Sequence, residues 1–199
     1  MKEILRIYNS KKQLIKSRLN DFKNLSAEEK FNEFLFCLLT PQSNAQKCWR
    51  AVEEISKIKN INELEIKEIL KTRTRFHNNK TEYISEGYKN WNNVKSKLSE
   101  KNIPELRNWL AKNVKGYGLK EAGHFLRNIG ISDNKITILD RHILRNLKKL
   151  NIIAEEKIKS PKHYLEIEQS FLKFSEQIKI PVDELDLLWW SQENGEIFK

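Results

Sequence analysis

Apolar residues recur at helical spacing along almost the whole chain, and strand patterns are nearly absent. In "SAEEKFNEFLFCLLT", Phe31, Phe34, Leu35, Leu38 and Leu39 fall on one stripe. Ser26 stands where a helix cap belongs, and Glu29 can complete a capping box. "SNAQKCWRAVEEI" repeats the logic, with Ser43 as the expected cap and Gln46 at the third position. Asn62 with Glu65 opens a short helix. Pro41, Pro104, Pro161 and Pro181 all stand where helices can begin, and Ser160 caps a segment that starts with Pro161. The one β-branched run, "NKITIL" at 134–139, is short and reads as an extended connector. The expected fold is all-α, with about nine or ten helices. The 199 residues form one unit that can divide into two helical lobes with a groove between them, and no shift in composition marks a boundary.

The chain has six glycines, and Gly116, Gly118, Gly123 and Gly130 all lie in "NVKGYGLKEAGHFLRNIG", residues 113–130. "IPELRNWLAKNV" reads as a helix with Leu106, Trp109, Leu110 and Val114 on one side. "LKEAGHFLRNI" reads as a second, with Ala122, Phe125, Leu126 and Ile129 on its face. "KGYG" joins them, which makes a helix-hairpin-helix. Glycines on both sides of a tyrosine let the backbone turn tightly and bring amide groups near a phosphate, and the positive end of the second helix points the same way. Such a hairpin holds a DNA backbone without reading sequence. A plain helix end needs one glycine, not two around an aromatic residue.

Lys120 falls in the first turn of the second helix, where the helix dipole opposes a cation and favours the free amine. A free amine there can act as a nucleophile and form a Schiff base; the alternative is a phosphate contact. "ILDRHILRNLKKL" follows, with Asp140 ahead of an amphipathic helix. Asp140 suits an N-cap, and it also suits a carboxylate that assists departure of a base and stabilises positive charge on a sugar.

Composition narrows the class of partner. Apolar residues at 39% and charged residues at 32% describe a globular chain, not a disordered one. A net charge of +10 fits a polyanion, either nucleic acid or an anionic membrane surface, although a lysine-rich genome would give the same balance. Cys37 and Cys48 are too few for a four-cysteine iron–sulfur cluster, and no Cys/His spacing resembles a zinc site. "MKEILRIYNSKKQL" is too charged for a signal peptide, and no apolar run reaches about 18 residues, so the chain reads as intracellular.

"VKGYGLKEAGHFLRNIG" followed by "ILDRHIL" resembles the helix-hairpin-helix DNA glycosylase superfamily. Within it, "GLKEAGHFLRN" and "LDRHILR" look most like the archaeal-type 8-oxoguanine DNA glycosylase/AP lyase family, the second Ogg family. "FLFCLLTPQSNAQKCW", "RTRFHNNKTEYI" and "LDLLWWSQENGEIFK" are similar to further segments of that family, so the likeness runs from about Phe31 to Lys199. The resemblance implies two helical lobes with the active site between them. It implies that damaged guanine is flipped from the duplex, that Lys120 attacks C1′ and displaces the base, and that Asp140 supports the step. β-Elimination through the Schiff base then cuts the strand, with no metal or other cofactor, and a monomer fits this class.

The resemblance also suggests where the base sits. Phe76 and Trp190 match the segments that sandwich it. Adjacent tryptophans point to different sides of a helix, so one at most of Trp189 and Trp190 can serve. Lys199 and its terminal carboxylate match the family's base-reading end, with Ile197 and Phe198 giving the tail something to bury. Gln42 stands where relatives fill the gap left by the flipped base. Arg73, Arg75, Lys80 and Lys115 are candidates for phosphate contacts, along with the Gly116 and Gly118 backbone. Two other readings of the same residues stay open: a glycosylase for another damaged base, and a non-catalytic hairpin module in which Lys120 touches phosphate and Asp140 only caps.

Overall fold

The computed structural model describes residues 2–60 and 62–199. Among these residues there are ten helices: α1 (Lys2–Lys23), α2 (Ala27–Leu39), α3 (Ala45–Ile55), α4 (Glu63–Lys71), α5 (His77–Lys97), α6 (Ile103–Asn113), α7 (Leu119–Asn128), α8 (Arg141–Lys149), α9 (Pro161–Ile178) and α10 (Val182–Asn194). Among the described residues there is no strand, and no helix is long and apolar enough to cross a membrane. The chain divides into two compact units. Unit 1 comprises Met1–Asn24 and Leu126–Lys199; unit 2 is Leu25–Phe125.

Unit 2 is built around α2. Its capping box forms as the spacing predicts: Ser26 and Glu29 each accept the other's backbone N–H. The single stripe expected on this helix is too narrow a description. Phe34, Leu35, Phe36, Cys37, Leu38 and Leu39 are all fully buried, because α3 and α5 both pack against it. Phe34 anchors an aromatic cluster, with ring centroids of Trp91, Tyr117 and Phe125 at 5.2, 5.4 and 5.6 Å.

Two start signals need correcting. Asn44, not Ser43, caps α3, accepting the Lys47 N–H at 3.0 Å; the Ser43 hydroxyl is engaged elsewhere. Pro41 accordingly lies in the turn between α2 and α3 and not at a helix start. Asn62, Asn102 and Ser160 cap α4, α6 and α9 through their side chains.

In unit 1, α1 buries Tyr8, Ile15 and Phe22, one residue every seven, and packs on α10. Polar contacts reinforce that face. Tyr8 Oη donates to Glu184 at 2.6 Å, Lys11 Nζ to Ser191 Oγ at 3.0 Å, and Arg18 Nε to the Phe198 carbonyl at 2.7 Å. Arg127 and Asp186 form a buried ion pair at 3.1 Å, with the guanidinium 5.5 Å from the Phe22 ring centroid. Burial pushes the Asp186 carboxyl upward while Arg127 opposes the shift.

The connector at 134–139 pairs with no strand, but it is not extended throughout as expected. Asn134 takes φ +56°, the Lys135 N–H bonds the Ser132 carbonyl at 3.0 Å, and the Asp140 N–H bonds the Ile138 carbonyl at 2.9 Å, so the segment turns at both ends. Ile136, Ile138 and Leu139 are buried, and side chains of α9 satisfy its backbone. The Glu168 carboxylate accepts the Thr137 N–H at 2.8 Å. Tyr164 Oη donates to the Thr137 carbonyl at 2.8 Å and accepts from the Leu139 N–H at 3.3 Å.

Candidate active site

The hairpin connects α6 to α7 through residues 114–118. Gly116 has φ +93°, and a Cβ there would stand 2.6 Å from Cδ2 of Tyr83, so geometry and space both call for glycine. The intervening Tyr117 turns inward. Its ring lies against Phe34 and Phe125, and its hydroxyl donates to the Phe34 carbonyl at 2.9 Å. Tyr117 thus pins the hairpin to α2.

Gly118 occupies the residue before α7, and Glu121 sits three further on. Glu121 Oε2 accepts the Gly118 N–H at 3.1 Å, one half of a capping box. Its other oxygen, Oε1, lies 2.8 Å from Lys120 Nζ. One carboxylate therefore ties the hairpin backbone to the lysine. Lys120 is the second residue of α7, with its side chain 29% exposed. The idea that the glycine-turn amides face a phosphate needs trimming: the Tyr117 N–H bonds the Val114 carbonyl at 3.1 Å and the Gly118 N–H bonds Glu121. At its other end α7 stops in a Schellman turn, where Ile131 and Gly130 donate to the Leu126 and Arg127 carbonyls and Gly130 takes φ +74°.

Asp140 caps α8: its Oδ1 accepts the His142 and Ile143 N–H groups, both at 2.8 Å. α8 packs on α10, and His142 and Arg145 both approach Glu193 at 3.4 Å. On α10 the two tryptophans part company. Trp189 is buried and stacks on Phe171, with centroids 5.2 Å apart and planes at 9°. Trp190 is half-buried, 6.3 Å from the Phe198 ring. The last residue, Lys199, is buried, with Nζ 5.9 Å from the Phe198 centroid.

Gln42 and Phe76 share an unusual backbone. Both are exposed non-glycine residues in the left-handed region, with φ of 55° and 59°. Phe76 is 54% exposed, a large aromatic face offered to solvent, and the Arg75 guanidinium lies 5.5 Å from its ring centroid. Lys115 and Arg73 are paired with Glu82 and Glu54 respectively.

Lys80 is not a phosphate contact. It is buried, and its ammonium donates to the Leu39 carbonyl at 2.7 Å, the Pro41 carbonyl at 2.9 Å and Ser43 Oγ at 2.8 Å. Burial pushes it down to about 8; the neighbouring Cys48 opposes that shift, and Lys120 and Arg75 add to it. Both cysteines are buried. Burial pushes the Cys48 thiol up to about 11, against the pull of Lys80 and Ser43, and Sγ donates to the Leu39 carbonyl at 3.2 Å.

Sequence reasoning passed over Glu121 and misjudged Ser43 and Lys80. Glu121 had a local signal, since it follows Gly118 at capping-box spacing. Ser43 and Lys80 had none, because they meet only in the folded chain. Of the expected site residues, unit 2 carries Gln42, Arg75, Phe76, Lys115, Gly116, Gly118 and Lys120, and unit 1 carries Asp140, Trp190 and Lys199.

Residues 15–180 match the family described as Ogg-HhH, 8-oxoguanine DNA glycosylase. The chain belongs to this family. An 8-oxoguanine DNA glycosylase/AP lyase of Fusobacterium nucleatum is 43% identical, over 99% of this chain and 96% of the relative. The fold is similar to that of the 8-oxoguanine DNA glycosylase of Thermotoga maritima, with a TM-score of 0.90 at 34% identity, over 100% of this chain and 97% of that one. It is also similar to the Methanocaldococcus jannaschii 8-oxoguanine glycosylase/lyase solved in complex with a 15mer DNA containing 8-oxoguanine, with a TM-score of 0.88 at 36% identity and 100% coverage of both chains.

Proposed function

We propose that this chain excises 8-oxoguanine from duplex DNA and then cleaves the strand at the abasic site it has made. The observation that carries the reading is Lys120 at the second position of α7, directly after the glycine hairpin, with its ammonium held by Glu121. The Lys120 ammonium first gives up a proton, with the Glu121 carboxylate the acceptor within reach, and the free amine then attacks C1′ of the damaged nucleotide. The bond from C1′ to the base breaks, its electrons leave with the base, and the base takes up a proton. The bound sugar opens to a Schiff base on Lys120. Loss of a C2′ proton then expels the 3′ phosphate and cuts the strand.

Asp140 stabilises positive charge on the sugar. Its role as a cap does not conflict, because Oδ1 carries both backbone bonds and a second oxygen remains on the carboxylate. Phe76 and Trp190 stack on the flipped base, and Lys199 reads its edge. Gln42 fills the gap left in the duplex. Arg75, Lys115 and the turn at Gly116 approach phosphates, and the Gly118 amide, bonded to Glu121, holds the hairpin in shape. Lys115 exchanges its exposed partner Glu82 for a phosphate, at little cost, since exposed ion pairs are weak. The protein acts as a monomer inside the cell.

Borohydride trapping tests this reading, using duplexes with one 8-oxoguanine, with one abasic site and with neither. A covalent adduct on the 8-oxoguanine duplex, lost in Lys120→Gln, is the expected result. An adduct confined to the abasic duplex would move the assignment to another damaged base. Intact binding with no adduct on any duplex would leave a hairpin module without chemistry.

A further inference from the structure

Two exposed residues of unit 2 hold a backbone conformation that residues other than glycine rarely adopt, and one buried lysine bonds to the first turn directly and to the second through Ser43. Gln42 and Phe76 take φ of 55° and 59°. Such residues persist when the surrounding structure over-determines them, and they concentrate at working sites. Lys80 supplies that surrounding structure. Its backbone N–H makes only the ordinary first-turn bond of α5, to the Phe76 carbonyl, so the lysine's own link to that turn runs through its side chain. Its side chain donates to the Pro41 carbonyl and Ser43 Oγ, the residues on either side of Gln42, and to the Leu39 carbonyl at the end of α2. Ser43 Oγ closes the loop by also accepting the Arg75 N–H at 2.9 Å, next to Phe76.

The three named acceptors of Lys80 are neutral and use all three ammonium protons. A charge held by dipoles alone is a demanding choice for a buried site. A helix C-terminus attracts a cation, which accounts for the Leu39 bond. It does not account for the bonds flanking Gln42 or for the shared serine.

We propose that Lys80 is a positioning residue that couples Gln42 to Phe76, so that filling the duplex and stacking on the flipped base occur as one event. The proposal rests on the roles given above to Gln42 and Phe76. Lys80 acts on the reaction chiefly through those two turns; its charge also repels that of Lys120, which is why the abasic duplex is allowed a change of up to about threefold.

The test separates base extrusion from lysine chemistry. Lys80→Met keeps the length of the side chain and removes its hydrogen bonds; Ser43→Ala is the milder variant should the first fail to fold. Single-turnover cleavage is measured on a duplex with 8-oxoguanine and on one with a preformed abasic site, where no base has to be extruded. Misplacement of about 1 Å can cost on the order of 100-fold, so Lys80→Met should lose about that factor on 8-oxoguanine and stay within about threefold on the abasic duplex. Ser43→Ala should show the same split with a smaller loss. Gln42→Ala should cost little more in the Lys80→Met background, because the coupling is already gone. Equal losses on both duplexes that track the folded fraction would overturn the proposal, as would additive effects of Lys80→Met and Gln42→Ala. If Gln42→Ala and Phe76→Ala each leave 8-oxoguanine cleavage unchanged, the roles of those residues fail first, and the split in Lys80→Met then has to arise elsewhere.

Discussion

Gly116→Ala should be among the more damaging single-atom additions to this protein. The added methyl would lie 2.6 Å from Cδ2 and 2.8 Å from Cγ of the Tyr83 ring, inside any tolerable contact. It would also hold an alanine at φ +93°. The backbone strain amounts to roughly 1–3 kcal/mol, and forcing a methyl into filled space adds about 1–3 kcal/mol. The sum, about 2–6 kcal/mol, should lower the melting temperature by roughly 4–24 °C for a chain of this size. The two contributions can be separated, because Tyr83→Ala removes the ring but not the strain. Thermal unfolding of the wild type, both single variants and the double variant provides the cycle. Gly116→Ala should cost only about 1–3 kcal/mol in the Tyr83→Ala background. An equal cost in both backgrounds would refute the steric argument, and a shift under about 2 °C in the wild-type background would refute both.

Asp140→Asn should melt within about 1 °C of the wild type, because asparagine caps as well as aspartate, while base excision falls by at least about tenfold; Asp140→Ala should in addition lose about 1 kcal/mol of stability. Unchanged excision by Asp140→Asn, measured in single turnover, would reduce Asp140 to a cap. Cys48 should resist iodoacetamide in the native state. The thiolate is the reactive form, burial pushes its formation up to about 11, and labelling followed by mass spectrometry should therefore rise only as pH approaches that value or as the protein unfolds.

Local chemistry was legible in the sequence where each signal lay within a few residues. The Ser26–Glu29 box, the cap and proline of Ser160 and Pro161, and Lys120 in a first helical turn all depend on spacings of one to four positions. That 134–139 is not a sheet strand was legible because no second β-branched run existed to pair with it, but the turns that open and close the segment were not read. Long-range demands were hidden. Ser43 reads as a cap until Lys80 and Arg75 both take its hydroxyl, and the cap then passes to Asn44. Lys80 reads as one more surface cation, since nothing nearby in sequence says that the end of α2 will meet it. The burial of α2 on every side likewise depends on α3 and α5 arriving from both directions. In α1, Tyr8, Ile15 and Phe22 are spread thinly among charged residues, yet their seven-residue interval marks the buried face.

That first helix has a consequence for how the molecule is made. Residues 25–125 form a contiguous unit, so its contacts are all available once that stretch has left the ribosome. The other unit draws on both ends of the chain, and α1 meets its partners Glu184, Ser191 and Phe198 across separations of 176 to 180 residues. During synthesis α1 therefore leaves the ribosome well before α10, and Tyr8, Lys11 and Arg18 wait for partners that are made last, while Phe22 can meet Arg127 earlier. Its dense charge keeps that early segment from sticking to neighbouring nascent chains in the interval.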